Sequence, residues 1–180
     1  MPILFATITA LMLAQSPEPQ PVCAAPVLDE KYGYRGIKFR SSPNDVSGLH
    51  AVDQDEYKTK HVRAYTRRDD ELSVFGQQLS SVTYFFFDDR LFSIQLDFRG
   101  LKPDGTAILE GFATALGCKT YGSNGPAGAD MNLRATGQRV YFQGFYFVSK
   151  VSALGRATFQ ERELLEAVNS AIKSEAASQF

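Results

Sequence analysis

Leu79–Arg99 reads LSSVTYFFFDDRLFSIQLDFR. Two runs of β-branched and aromatic residues flank an Asp-Asp pair, which is the pattern of a β-hairpin. In the second run Phe92, Ile94, Leu96 and Phe98 alternate with Ser93, Gln95, Asp97 and Arg99, so one face is apolar. In the first, Val82, Tyr84 and Phe86 alternate with Ser81, Thr83, Phe85 and Phe87. A shared apolar face requires Phe86 opposite Phe92, Tyr84 opposite Ile94 and Val82 opposite Leu96. A two-residue turn at Asp88-Asp89 would set Phe86 opposite Leu91 instead. The alternation therefore predicts a three-residue turn, Asp88–Arg90, with a bulge. Phe85 and Phe87 then point to the second face, which cannot be wholly wet.

Outward from this hairpin the sequence predicts a second one, Met131–Thr136 with Arg139–Val148 around Gly137-Gln138. Gly144 inside RVYFQGFYFV implies a bulge or a close backbone approach. Leu79–Arg99 and Val140–Val148 together hold 11 of the 22 aromatic residues, so the core is a sheet. Further strands are expected at Gly36–Phe39, Lys60–Arg68, Leu72–Phe75 and Ser152–Phe159. His50–Glu56 reads as a loop. Cys118–Asp130, with Gly122, Gly125 and Gly128, reads as an irregular stretch. Ser42-Pro43-Asn44-Asp45 marks the start of a short helix. Asp104–Gly117 carries the stripe Ile108, Leu109, Phe112, Ala115, Leu116, with Asp104 or Thr106 as cap and Gly117 at the end. A last helix presents Leu164, Leu165, Val168 and Ile172 on one face, after Thr158 and Glu161 at capping-box spacing. This order defines an α+β fold: an antiparallel β-sheet with helices packed on one face, arranged as two units of a helix followed by strands.

The chain has 180 residues, 44% hydrophobic and 22% charged, with a net charge of −1. One domain is expected, with no global field that would recruit nucleic acid. Ile3–Ala14 (ILFATITALMLA) is uncharged, and Gln15–Pro26 is rich in proline. The reading is a signal peptide over 1–14, a Pro-rich linker over 15–30, a single domain over 31–176 and a tail over 177–180. Cleavage falls after Ala14, or after Ala24 or Ala25. This places the protein in the periplasm or outside the cell, with no stable membrane span in the mature chain. The alternative is a buried N-terminal helix or strand in a cytoplasmic protein. Cys23 and Cys118 are a candidate disulfide in an oxidising compartment. Cleavage beyond Cys23 would instead leave Cys118 alone, as a small buried hydrophobe.

Catalytic, cofactor and metal residues are not assigned. His50 and His61 lack metal-ligand spacing to another His or Cys. Asp53, Asp55 and Glu56 lack the glycine and distal glutamate of a calcium loop. Asp69-Asp70-Glu71 and Asp88-Asp89 sit at turns, where Asp is favoured for backbone reasons. Nucleophile-elbow, phosphate-loop and dinucleotide motifs do not occur. The basic group around Arg63, Tyr65 and Arg67 either protects a sheet edge or meets an acidic partner or a single nucleic-acid strand. The candidate interface residues are Phe85, Phe87, Arg63, Tyr65 and Arg67, together with the loop 118–130.

The succession SSPNDVSGL (41–49), VTYFFFDDRLFSIQLDF (82–98) and ATALGCKTYG (113–122) resembles two kinds of small exported module. One is the β-lactamase inhibitor protein type. The other is the small lipoprotein of the outer-membrane assembly machine. Both place a short helix before an antiparallel sheet, and the likeness covers Gly36–Lys173 in outline. It is architectural and transfers no functional residue. QPVCAAP around Cys23 departs from a lipidation motif. What the resemblance implies is a non-catalytic exported module whose partner is another protein. A small apolar-ligand carrier is the alternative reading, and a hydrolase with dispersed residues the third.

Overall fold

Asp88 and Asp89 both adopt left-handed backbone, φ 45° and 61°, and close the central hairpin in two residues rather than three. Asp tolerates this conformation, which the tight hairpin turn requires at both positions. Phe87 pairs with Arg90 and Phe86 with Leu91. The expected register returns beyond a bulge: Phe85 with Ser93, Tyr84 with Ile94, Val82 with Leu96. The bulge that the alternation placed in the turn lies instead at Phe92, inside the strand. Leu91 and Ile94 thereby reach one face, and Phe92 joins Phe85 and Phe87 on the other.

The computed structural model describes residues 22–99, 104–125, 128–148 and 153–178. In chain order the elements are β1 (Cys23–Ala24), α1 (Val27–Lys31), β2 (Gly33–Tyr34), β3 (Ile37–Lys38), a 3-10 turn (Pro43–Asp45), β4 (Leu49–Val52), β5 (Val62–Arg67), β6 (Ser73–Val74), β7 (Gln77–Gln78), β8 (Ser81–Phe87) and β9 (Arg90–Phe98). Then come α2 (Asp104–Leu116), β10 (Tyr121–Gly125), β11 (Gly128–Thr136), β12 (Val140–Val148), β13 (Ala153–Glu161) and α3 (Arg162–Ala177). The main sheet runs β11-β12-β13-β9-β8-β5-β4. β10 and β1 both pair with β11, β10 antiparallel and β1 parallel. β2–β3 and β6–β7 are separate small ribbons. The sheet joins two four-strand meanders, β4-β5-β8-β9 and β10–β13, whose last strands meet antiparallel at its centre.

The α+β class holds, but the helices occupy both faces. One face carries Tyr84, Phe86, Leu91, Ile94, Leu96 and Phe98 and is covered by α1 and α2 through Leu28, Ile108, Leu109 and Phe112. Across the strands under α2 run Leu133, Gly144, Ala157 and Leu96. A Cβ at Gly144 would lie 2.6 Å from the Leu109 side chain, so glycine here permits the helix's close approach. The other face carries Val62, Ala64, Phe85, Phe87 and Phe92 and is covered by Leu164 and Val168 of α3. Leu164, Val168 and Ile172 recur at helical spacing, and each fully buried one contributes about 1.5–3 kcal/mol.

Four local expectations change. Residues 23–30, read as linker, form β1 and most of α1, with Ala25 and Leu28 in the core. Pro26 stands at the helix start, where its fixed φ is an advantage. His50 and Ala51, read as loop, belong to edge strand β4. Part of the irregular stretch 118–130 is the β10–β11 hairpin, whose pairing uses backbone groups that side-chain alternation does not report. Glu161 is itself the N-cap of α3, accepting the Leu164 amide at 2.8 Å, and Thr158 lies in β13. The helix start expected at Ser42–Asp45 is present as a single 3-10 turn, with Ser42 and Asp45 forming a capping box. Gly117, φ 67°, ends α2 as expected. The readings over 1–14 and 15–21 fall outside the described residues.

Candidate functional site

α3 starts at the end of β13 and crosses toward β5, where Thr59 donates to Glu175 at 2.9 Å. It covers the β5, β8 and β9 part of its face. On β11, β12 and β13 the same face carries a different set of side chains. One cross-strand row is Arg134, Gln143, Thr158 and Gln95. The next is Asn132, Phe145, Arg156 and Asp97. Phe147 and Leu154 pair beyond it, and Tyr141 and Gln160 pair on the α3 side. Tyr141, Phe145 and Phe147 are partly exposed and Leu154 is 43% exposed. Among the described residues they pack into neither core cluster.

The polar centre of this surface is held in place. Arg156 donates to Asp97 at 2.9 Å through Nε and to Glu56 at 2.8 Å through Nη1. Burial works against its charge, but the two carboxylates outweigh that and raise its pKa. Gln95 donates to the other Asp97 oxygen at 2.9 Å. Gln160 donates to the Tyr57 hydroxyl at 3.0 Å, while the Tyr57 ring meets Phe85 and Phe92 edge-on at 5.1 and 5.0 Å. Tyr57 thus bounds the covered part. Arg134 Nε is buried without a partner. The arrangement is a fixed polar net bordered by aromatic side chains on a rigid sheet. It suits recognition of a surface better than proton transfer.

The candidate residues do not form one surface. Phe85 and Phe87 are 2% and 7% exposed, enclosed by α3 and, for Phe85, Tyr57. Their face is not wet because this chain's own last helix covers it, so they are not available as an interface. Arg63, Tyr65 and Arg67 point to the opposite face. There Arg63 pairs with Asp89, Tyr65 packs edge-on against Phe86 at 5.3 Å, and Arg67 donates to the Ser47 carbonyl at 3.0 Å. Cys23 and Cys118 are joined by a disulfide, which ties β1 to the end of α2.

His61 contacts Asp88 at 2.9 Å and lies 3.7 Å from Glu175, whereas His50 is exposed on β4. The Thr59 hydroxyl donates to Glu175 and not to the His61 ring, so these groups are not arranged as nucleophile and base. Among the described residues no three His, Cys, Asp or Glu side chains converge as a metal-binding group. No helix among them is long and apolar enough to cross a membrane.

The aromatic border went unassigned in the sequence because both faces of β12 are aromatic: Phe142 and Tyr146 inward, Tyr141, Phe145 and Phe147 outward. Alternation identifies the two faces but not which one a helix covers. No protein-family model, curated protein or solved structure matches the chain.

Proposed function

We propose that this protein is a non-catalytic binding module, acting outside the cytoplasm, that recognises another protein through the uncovered part of the α3 face on β11–β13. The observation that carries this reading is the partly exposed set Tyr141, Phe145, Phe147 and Leu154 around the Arg156–Asp97–Glu56 net. Aromatic and arginine side chains on a rigid base lose little conformational entropy on binding and dominate contact energies. The disulfide and the apolar N-terminal run favour an oxidising compartment. The resemblance to small exported protein-binding modules points the same way.

Site-specific photo-crosslinking in the native host tests it. A photoreactive residue at Phe145 or Phe147 should give a discrete protein adduct, and one at the exposed Glu110 of α2 should not. Equal labelling from both faces, or no adduct from β12, rejects the reading. Osmotic-shock release of the mature chain is the expected companion result.

A further inference from the structure

A cavity of about 490 Å³ lies on the other side of the molecule, between α1, the β2–β3 ribbon, the β6–β7 ribbon and the C-terminal half of α2. Val27, Val74, Phe112, Leu116 and Phe159 contribute apolar walls. The volume is within the range of pockets that bury small ligands. Among the described residues three charged side chains line it, Lys31, Arg35 and Lys38, and no Asp or Glu does. Lys38 donates to the Lys31 carbonyl at 2.6 Å. Arg35 is held by the carbonyls of Glu71 and Ser73, with the Glu71 carboxylate 3.6 Å away. The Lys31 ammonium has no hydrogen-bond or ion-pair partner among the described residues.

Phe75 stands at the tip of the β6–β7 ribbon, 47% exposed, with φ 50°. An aromatic residue in left-handed backbone is uncommon, and such strain is retained where surrounding contacts impose it. The Phe75 ring meets Phe112 edge-on at 5.0 Å and lies against α2 at Gly111, where a Cβ would fall 2.4 Å from it. Gly111 is an unfavourable residue inside a helix, and the seated ring accounts for it. The ribbon thus holds an aromatic flap over an apolar cavity with a cationic rim.

We propose that this cavity binds a single alkyl chain ending in a carboxylate. The chain lies between α1 and α2 beneath Phe75, and the carboxylate meets Lys31 and Lys38. The charge asymmetry of the lining selects an anionic head over a neutral or cationic one. The site is on the opposite face from the proposed protein contact and does not depend on it.

Calorimetric titration of the disulfide-bonded chain with decanoate tests the assignment. Decanoate should bind one to one with a negative heat-capacity change, and acetate should not bind. Decyltrimethylammonium should bind at least about tenfold more weakly, since it places like charge at the rim. Ala115→Phe adds a ring to the cavity from an exposed position and should weaken decanoate binding at least about tenfold while leaving the melting temperature near that of the parent. Lys31→Glu should weaken it about three- to tenfold. Equal affinity for the two head groups, or unchanged binding by Ala115→Phe, overturns the proposal. So does sedimentation with phosphatidylglycerol vesicles in the absence of decanoate binding, which would assign the cations to a membrane surface.

Discussion

The guanidinium of Arg40 lies 3.1 Å from the buried carboxylate of Glu161, 121 residues further along the chain. Glu161 also accepts the Tyr32 hydroxyl at 3.3 Å and, through its other oxygen, the Leu164 amide at 2.8 Å. The Arg40 amide in turn donates to the Leu91 carbonyl at 2.8 Å. One carboxylate therefore joins the segment after α1, the central hairpin and the start of α3. Glu161→Ala should cost about 2–4 kcal/mol, since it removes a helix cap and leaves polar partners unpaired. Glu163→Ala, at an exposed partner of the same Arg40, should cost at most about 1 kcal/mol. Urea unfolding midpoints separate the two.

Asp29 of α1 accepts the amides of Arg139 and Val140 at 2.8 and 3.1 Å, and that of Gln138 as well. Burial would raise its pKa, but these three amides and the Arg139 charge outweigh it and hold the carboxyl below its ordinary 3.8. A lowered folded pKa contributes stability above the unfolded value that is lost as pH falls through the folded one. Asp29→Asn should therefore cost about 1–2 kcal/mol at neutral pH and progressively less below pH 3.8. Gly137→Ala should perturb the same contact, because its Cβ would fall 2.5 Å from the Asp29 carboxylate. Denaturation across pH measures both.

Asp70 behaves in the opposite sense. Desolvation raises its pKa more than the Tyr84 hydroxyl, at 2.9 Å, and the nearby arginines lower it. Its second oxygen is buried without a partner. A raised carboxyl pKa means that its contribution is most favourable at low pH and is lost as pH rises from 3.8 through the folded value. Asp70→Asn keeps an acceptor for Tyr84 and is expected to leave neutral-pH stability unchanged or higher, by up to about 1 kcal/mol. A loss above about 2 kcal/mol would contradict this account of the site.

Cys23 and Cys118 are 95 residues apart in sequence. Joining them restricts the unfolded chain over a long loop, and Cys23→Ser/Cys118→Ser should lower stability by about 2–4 kcal/mol. Released from the crosslink, β1 retains its short parallel pairing to Ala135 and Thr136. Amide exchange at residues 23–31 should rise before exchange at β9 does.

The elements that could be read from the sequence are those whose periodicity exceeds a turn or a pleat. Ile94, Leu96 and Phe98 specify β9, and Leu164, Val168 and Ile172 specify α3. Gly144 announced the close approach that Leu109 makes. Val27–Lys31 is too short to show a helical period, and the prolines before it masked it. The two-faced sheet was half legible. Phe85 and Phe87 required a cover, but pattern alone could not assign α3 to it. The part of that face which α3 leaves open among the described residues was illegible for the same reason, since a helix's footprint is a tertiary property. The Lys31–Arg35–Lys38 rim draws on a helix and a ribbon whose local sequences carry no common pattern.

The bulge at Phe92 gives this chain one residue more than its pairing needs. Were Phe92 deleted, Leu91 would still face Phe86 and Ser93 would still face Phe85, so the ladder would close without a shift. What would vanish is one ring from the contact with α3 and Tyr57. The position is therefore dispensable to the sheet and indispensable to its cover. A version of this fold without the last helix would be expected to show a one-residue gap here.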